Sequence, residues 1–387
     1  MRILHVIPSL ATSQGGPTIA MGVIERALVA MGIEIETATT DDDGKGRRND
    51  QGTGLPVSTD GSLRRYFRKN LDFYTISLPL QRWLEQSVCN YDLIHIHGLF
   101  SHANTAAARA ARRLRVPYII RPYGVLNRYG VTQRRPWLKK LSLRWIEGPL
   151  LRDAAAVHFT HQEEANQASL LGIPLRSVII PIGLESMALP MPESASTSTI
   201  LYLSRLNPVK NLESLLHAWS QLASRFPEWR LLIAGDGSPD YAAQLKSLAA
   251  SLHLGNQVEW LAHVGGSQKA QLLANASIFV LPSFSENFGI AAAEALLAGK
   301  ACILTPGVAI ASDAATRKAA IIAGPDEYSL ASALESLITQ PDLRKNLSEQ
   351  AHLYANDNLS TKRMAAQLIA LYQQILNNSQ SAGKITP

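Results

Sequence analysis

Twelve short apolar runs alternate with helical patterns along this chain, and that alternation fixes most of what it can fold into. In the first half they read "RILHVI", "IEIETAT", "DLIHIH", "PYIIRP", "AVHFT" and "VIIPI". In the second they read "ILYLS", "RLLIAG", "QVEWLA", "IFVLP", "ACILT" and "AAIIAG". Many are apolar throughout, which is how strands covered by helices on both faces read. Strand–helix alternation of this kind builds βαβ units and predicts parallel α/β sheets. The sixth run ends near Gly183, and the Ser-, Thr- and Pro-rich "LESMALPMPESASTST" that follows reads as a linker. The expected architecture is two Rossmann-like, doubly wound α/β domains, residues 1–184 and 199–358, joined by a linker over 185–198. A helix over 359–378, with Ser360 as N-cap and Met364, Leu368, Tyr372 and Ile375 at helical spacing, is expected to pack back toward the first domain. Residues 379–387 are expected to form a disordered tail. Ligands of such sheets bind beyond the carboxyl ends of the strands, so the site is expected in a cleft between the domains.

The chain has 387 residues, 46% apolar and 18% charged, enough for two cores and unlike a disordered chain. Its two cysteines, Cys89 and Cys302, form no CxxC or Cys/His cluster, which argues against a disulfide framework or structural zinc and fits a reducing compartment. The opening apolar run is too short for a signal peptide, and no stretch approaches the ~20 apolar residues of a membrane span. A cytoplasmic protein is expected, with peripheral contact at the inner face of a membrane as its one route to lipid. Residues 1–180 hold 23 Lys and Arg against 15 Asp and Glu, a net +8, while the remainder is −2. The basic half suggests an anionic partner there. Nucleic acid fits poorly, because no recognition module accompanies the charge.

Chemistry-bearing residues gather where strands end. Gly15 and Gly16 follow the first strand and precede a helix opening at Pro17, a turn where backbone N–H groups can approach a phosphate; a plain tight turn explains it equally well. No GxGxxG fingerprint is present, which argues against a dehydrogenase. "LYLSRLNPVKN" puts Arg205 past a strand end and Lys210 before a helix, a fit for a diphosphate clamp, although an arbitrary pair of this kind is more often solvated. Gly235 ends another strand in "AGDG", a weak signal by itself. "SENFGIAAAEALLAGK" carries two carboxylates. Glu286 lies in the loop before a helix N-terminus, where negative charge is favoured, and Glu294 is the one polar residue of a helix expected over Ile290–Ala298. A carboxylate in that setting needs donors.

Together, "PSFSENFGIAAAEALLAGK", "SRLNPVKN", "LLIAGDG", the early "GGP" and "DLIHIHG" resemble the ordered motifs of retaining GT-B glycosyltransferases, family four (group 1). The likeness runs from residue 1 to about 375. It implies that Arg205 and Lys210 hold the diphosphate of a nucleotide-sugar donor, that Glu294 accepts from the ribose hydroxyls and that Glu286 accepts from the sugar. Asn287, Phe288 and Gly289 would offer backbone N–H groups, Gly16 with Gly15 would bring backbone to the phosphates, and the backbone at His263 and Val264 would meet the base. The leaving diphosphate would be stabilised by Arg205 and Lys210, so neither a metal nor another cofactor is called for. The acceptor, a glycan or a lipid-linked glycan of the cell surface, would sit on the basic first domain.

The chain departs from that pattern in two places. Many relatives carry His-Gly after the "PYII" strand where this chain has Tyr123-Gly124, preceded by Arg121, and "PGVAIASDAATRKA" lacks their Gly-x-x-Glu. His97 in "HIHG" is a separate catalytic candidate, equally readable as a structural histidine. "RRPWLKKLSLRWIEGPLL" spaces Trp137, Leu141 and Trp145 by fours among Arg135, Lys139, Lys140 and Arg144, which suits either a membrane interface or a core face with a basic rim. The polar run "DDDGKGRRNDQGTGLPVSTDG" reads as a flexible loop whose Asp41 and Asp43 imitate a metal motif, better explained as an Asp-rich turn into Gly44. Two other functions fit parts of the pattern. One is a non-catalytic nucleotide-sugar-binding protein. The other is a glycoside hydrolase using Glu286 and Glu294 as its acid pair, which leaves Arg205 and Lys210 without a purpose.

Overall fold

The computed structural model describes residues 1–11, 15–127, 136–185, 189–190 and 198–382. The chain divides into two compact units: Met1–Gly183 together with the chain from Thr361 onward, and Leu184–Ser360. Most of the expected linker, residues 186–188 and 191–197, lies outside the described residues, as does the tail from 383.

The first unit holds eight strands: β1 (Arg2–Val6), β2 (Glu34–Thr40), β3 (Thr53–Thr59), β4 (Ser62–Phe67), β5 (Leu93–His97), β6 (Tyr118–Arg121), β7 (Ala156–Phe159) and β8 (Ser177–Ile179). They run in the order β3-β4-β2-β1-β5-β6-β7-β8, parallel except for β3 against β4. The second unit holds β9 (Thr199–Leu203), β10 (Arg230–Ala234), β11 (Val258–Leu261), β12 (Ile278–Leu281), β13 (Ala301–Leu304) and β14 (Ala320–Ile322). Its order, β11-β10-β9-β12-β13-β14, is wholly parallel and is the 3-2-1-4-5-6 arrangement of a doubly wound dinucleotide-type sheet. β5, β6, β7, β12 and β13 are buried at every residue, so their continuous apolarity has the cause inferred from sequence.

Each sheet has one point where the chain reverses its direction of winding. It falls between β1 and β5 in the first unit and between β9 and β12 in the second. At such a point the loops leaving two neighbouring strands part to opposite faces and open a crevice beyond the strand ends.

Two expectations are corrected. The supposed flexible loop over 41–61 is largely ordered. β3 and β4 form a hairpin at the sheet edge, turned by Asp60 (φ 49°) and Gly61 (φ 80°), the two left-handed residues of a type I′ turn. The "DG" signal was present but masked by the polar composition around it. Upstream, the buried Lys69 ammonium pairs with Asp42 and Asp72 and takes the carbonyls of Gly44 and Arg47, each at 3.2 Å. Asp41 accepts the Lys69 backbone N–H at 2.7 Å. A lysine therefore occupies the centre of this acidic turn. The second correction concerns the chain end. The last helix spans Thr361–Ala382, so Ser379 belongs to it and not to a disordered tail. Met364, Leu368, Tyr372 and Ile375 pack with Ile3, Ile24 and Leu28 in the first unit's core. Ser360 is the extended residue between this helix and the preceding one, Pro341–Leu359.

The hairpin gives a stability test. A Cβ on Gly61 would stand 2.9 Å from Val29 Cγ1 and would also carry the left-handed backbone. Gly61→Val is expected to lower unfolding free energy by about 1–3 kcal/mol, read from urea denaturation, with the slope unchanged.

Candidate active site

In the second unit the functional candidates lie on the loops that leave β9 and β12. β9 runs into Ser204-Arg205-Leu206, then a 3-10 turn, Pro208–Lys210, and the helix Leu212–Ser220. Asn207 caps the turn by accepting from Val209 N–H at 3.1 Å. Asn211 is left-handed (φ 58°), and its amide donates to the carbonyls of Pro282 (3.1 Å) and Pro325 (2.7 Å). Phe284 N–H reaches Val209 O at 2.9 Å. The β9 and β12 loops are thus stitched together by backbone and amide bonds, and their side chains are delivered to one place.

Lys210 and Glu286 meet there. The Lys210 ammonium pairs with Glu286 Oε1, both side chains being largely withdrawn from water. Glu286 is itself fixed by its backbone, since its N–H donates to Gly307 O (2.8 Å) and its carbonyl accepts from Ala309 N–H (3.2 Å). Gly289 (φ 86°) opens the helix Ile290–Leu297, and a Cβ there would stand 2.8 Å from Val308 Cγ1. Phe288 is buried beneath.

Glu294 differs from its sequence reading. Its helix is not buried all round, because Ile290, Ala291 and Leu297 are half-exposed alongside it. Its carboxylate already has a donor within the protein: Lys269 Nζ lies 2.5 Å from Oε1. Lys269, on the helix Gly266–Asn275, was missed. The signal was the unsatisfied carboxylate itself, which demands a cation, but sequence spacing does not say which one.

Arg205 is exposed and takes no ion pair among the described residues. Its neighbourhood explains Gly235: a Cβ there would lie 1.9 Å from Ser204 O, so the ends of β10 and β9 touch backbone to backbone. His263 is exposed and Val264 buried, on the loop before Lys269's helix. Arg205, Lys210, Gly235, His263, Val264, Glu286, Asn287, Phe288, Gly289 and Glu294 all belong to this unit, whereas Gly15, Gly16, His97 and Tyr123 belong to the other.

In the first unit, Gly15 (φ 68°) precedes the helix Gly16–Ala30, and its carbonyl accepts from Thr18 (3.1 Å) and Ile19 (3.2 Å). A Cβ on it would meet nothing within 4 Å, so glycine serves the backbone angle and leaves open space. His97 lies in a fully buried layer of histidines with His5, His95 and His158. His158 Nε2 is 2.9 Å from Ile180 O, so it carries the proton, and Nδ1 accepts from His95 Nε2 at 3.4 Å. His95 Nδ1 then accepts from Tyr372 OH at 2.8 Å. A second chain joins His5 Nδ1 to His97 Nε2 (2.7 Å) and His97 Nδ1 to the Tyr123 hydroxyl (3.0 Å). Tyr123 is left-handed (φ 55°), and its turn is pinned by Glu164, which accepts from Gly124 N–H (2.6 Å) and Thr160 N–H (2.8 Å).

His5, His95 and His97 stand close enough together to ligate a metal. Arg121 stands among them, fully buried, with no hydrogen-bond partner for its three nitrogens among the described residues and the Tyr123 ring 4.7 Å away. A dication there would join a guanidinium in the same dry layer, so the cluster reads as a hydrogen-bond relay. Burial and the Arg121 charge hold His5 down at about 3, and they hold His95, His97 and His158 well below the usual histidine range.

Trp137 and Trp145 are each 67% exposed, so neither packs in the core. The helix Pro136–Ser142 continues as a π-helical turn, Leu143–Glu147.

The family described as Glycosyl transferases group 1 matches residues 192–353, and the Glycosyl transferase 4-like domain matches residues 15–183. A GDP-mannose:cellobiosyl-diphosphopolyprenol alpha-mannosyltransferase of Xanthomonas oryzae pv. oryzae is 25% identical over 327 residues, 81% of each chain. Among solved structures, sucrose-phosphate synthase of Thermosynechococcus elongatus matches with a TM-score of 0.76 at 20% identity, covering 98% of this chain and 100% of that one. Anabaena HepE in complex with UDP-glucose matches at 0.73 and 18% identity, with the same coverage. The fold is GT-B, and the chain belongs to the group 1 glycosyltransferases. It is a glycosyltransferase using nucleotide-sugar donors.

The histidine layer predicts a pH response. In the unfolded chain these imidazoles titrate near 6.5, whereas folded they stay neutral to much lower pH. Below about 6.5 the unfolded state therefore binds more protons, and stability present at neutral pH is lost as pH falls toward 3. Each histidine steepens that loss by up to about 1.4 kcal/mol per pH unit. The denaturation midpoint is expected to drop between pH 7 and pH 5, and His158→Gln should flatten the slope. An unchanged slope in that variant would remove the histidines as its cause.

Proposed function

We propose that the chain is a retaining glycosyltransferase that moves a sugar from a nucleoside-diphosphate donor to a hydroxyl of a lipid-linked or polysaccharide acceptor, in building a cell-surface glycan on the cytoplasmic side of a membrane. The observation that carries this reading is the pairing of Lys210 with Glu286 at the β9–β12 switch point. That is where a doubly wound sheet binds a nucleotide.

Breaking the sugar–phosphate bond puts negative charge on the leaving diphosphate and positive charge on the sugar. Lys210, held in a largely dry position by the 3-10 turn, is a point charge for the diphosphate, and Arg205 at the end of β9 adds a planar second donor. Glu286 then faces the sugar, where its free lone pairs accept from hydroxyls. Glu294, one oxygen held by Lys269, offers the other to the ribose diol. Backbone N–H groups at Asn287–Gly289 take the remaining sugar oxygens, and in the first unit the open turn at Gly15 and Gly16 is suited to a phosphate. His263 and Val264 border the base, and Gly235 lets the strand end approach. In the first unit, Tyr123, oriented by His97, is the hydroxyl offered in place of the more usual histidine.

The Xanthomonas relative is named for a diphosphopolyprenol-linked acceptor, and it matches most of this chain. That supports a lipid-linked acceptor here. HepE has been seen with UDP-glucose, which supports a donor of the same chemical class.

A thermal-shift panel of nucleotide sugars identifies the donor as the one that stabilises the fold. With that donor, Lys210→Ala is expected to lower kcat by about 100- to 1,000-fold, as for loss of one charge-stabilising donor. Glu294→Ala is expected to weaken donor binding by about tenfold or more. Unchanged turnover in both variants would falsify the site assignment. Donor binding by the wild type with no product from any acceptor would favour a non-catalytic nucleotide-sugar-binding protein, and release of sugar from a simple glycoside would favour a hydrolase.

A further inference from the structure

The first unit carries an apolar groove that the donor site does not use. It has a volume of about 460 Å³ and is walled by Phe73, Tyr74, Phe100, Leu141, Trp145 and Ile146. Phe73 is 61% exposed, Leu141 52% and Trp145 67%. Leaving that much apolar surface in water forfeits roughly 25 cal/mol for every Å², so a concave patch of this kind marks a binding surface.

The walls are held apart by a buried acid. Glu147, at the end of the π-helical turn, accepts from Tyr74 OH and from Phe100 N–H at 3.1 Å, tying three separate segments beneath the groove. Burial raises its carboxyl above the usual range. Tyr74 (φ 58°), Thr75 (φ 46°) and Phe100 (φ 56°) are all left-handed, a strained backbone for such side chains. Strain and π-turns persist where the surrounding structure over-determines them, and both cluster at ligand sites. The walls therefore stand open instead of collapsing on one another.

The rim is cationic. Lys139 lines the groove with Nζ 5.8 Å from the Phe100 ring centroid, and the Arg144 guanidinium lies 5.4 Å from that of Trp145. Lys140 is exposed on the same helix. The one acid over 136–147 is Glu147, which is buried below. An apolar slot with a positive rim complements an apolar chain with an anionic head. A peptide of apolar side chains brings no anion to the rim. A flat lipid surface leaves the concavity unfilled.

We propose that this groove binds the isoprenoid-type chain of a phosphate-linked acceptor, with Lys139 and Arg144 at its phosphates. The inference rests on the lipid-linked acceptor proposed above and names where the lipid goes. Because the groove lies in one unit, it positions the acceptor by its carrier and not by its sugar.

The test uses the full chain and a short isoprenyl diphosphate kept below its micelle-forming concentration, followed by tryptophan fluorescence and calorimetry. Saturable binding is expected, at least about tenfold tighter than inorganic diphosphate. Leu141→Glu, a change at an exposed position, is expected to weaken it by a similar factor. Arg144→Gln should weaken the diphosphate while leaving the matching isoprenyl alcohol unchanged. Binding no tighter than inorganic diphosphate overturns the proposal. So does binding only to anionic phosphatidylglycerol vesicles, equal in wild type and Leu141→Glu, which would make this face a bilayer contact. Thermal shift by the nucleotide sugar, measured on the same samples, separates the two readings. If it persists while isoprenyl binding fails, the groove proposal falls and the donor site stands. If it is absent in the wild type, the donor reading fails by itself.

Discussion

The β9–β12 adjacency is the constraint on which the second unit's chemistry depends. These strands are neighbours in the sheet but far apart in sequence, and their loops leave toward opposite faces. One Asn211 amide bond, to Pro282 O, and one backbone bond, from Phe284 N–H to Val209 O, then stitch the loops together around a lysine and a glutamate, while a second Asn211 bond ties in the loop after β14. Neither charge is fully in water, so each needs the other while the site is empty. A donor that brings a diphosphate and hydroxyls offers both groups stronger partners. The same logic extends to Lys269 and Glu294. The unit thus keeps its binding groups charged, ordered and exchangeable.

The first unit solves a different problem. Its equivalent switch point is backed by a dry layer of four imidazoles, a guanidinium and two phenols. Such a layer is costly where its hydrogen bonds do not close: two short chains pair the imidazoles and phenols, while Arg121 has no hydrogen-bond partner among the described residues. The cost is retained next to Tyr123, whose left-handed turn is itself held by Glu164. The aromatic groove takes Phe100 from the loop that leaves β5, so this unit combines a rigid floor with an open apolar wall.

Much of this was legible in the sequence. All twelve strands read from apolar runs are present; in β5, β6, β7, β12 and β13 the cause is burial at every residue, which leaves an unbroken apolar signature. The strand-end positions of Arg205, Lys210, Gly235 and Glu286 followed from the same runs. The hairpin β3–β4 was not read, since the edge strand β3 faces water and its composition resembles a loop; Asp60-Gly61 signalled the turn. Nor was the fate of Trp137 and Trp145, whose four-residue spacing is the same on a core face and on an exposed one.

By itself the sequence determined the fold class, the two-unit division and the strand ends at which functional groups must stand. Those properties follow from local periodicity, which the chain carries residue by residue. Only the tertiary structure decided the partners: Lys210 with Glu286 across 76 residues, Lys269 with Glu294 across 25, and Tyr74 with Glu147 beneath the groove. Periodicity says which way a side chain faces. What it meets there depends on strand order and on the packing of distant segments.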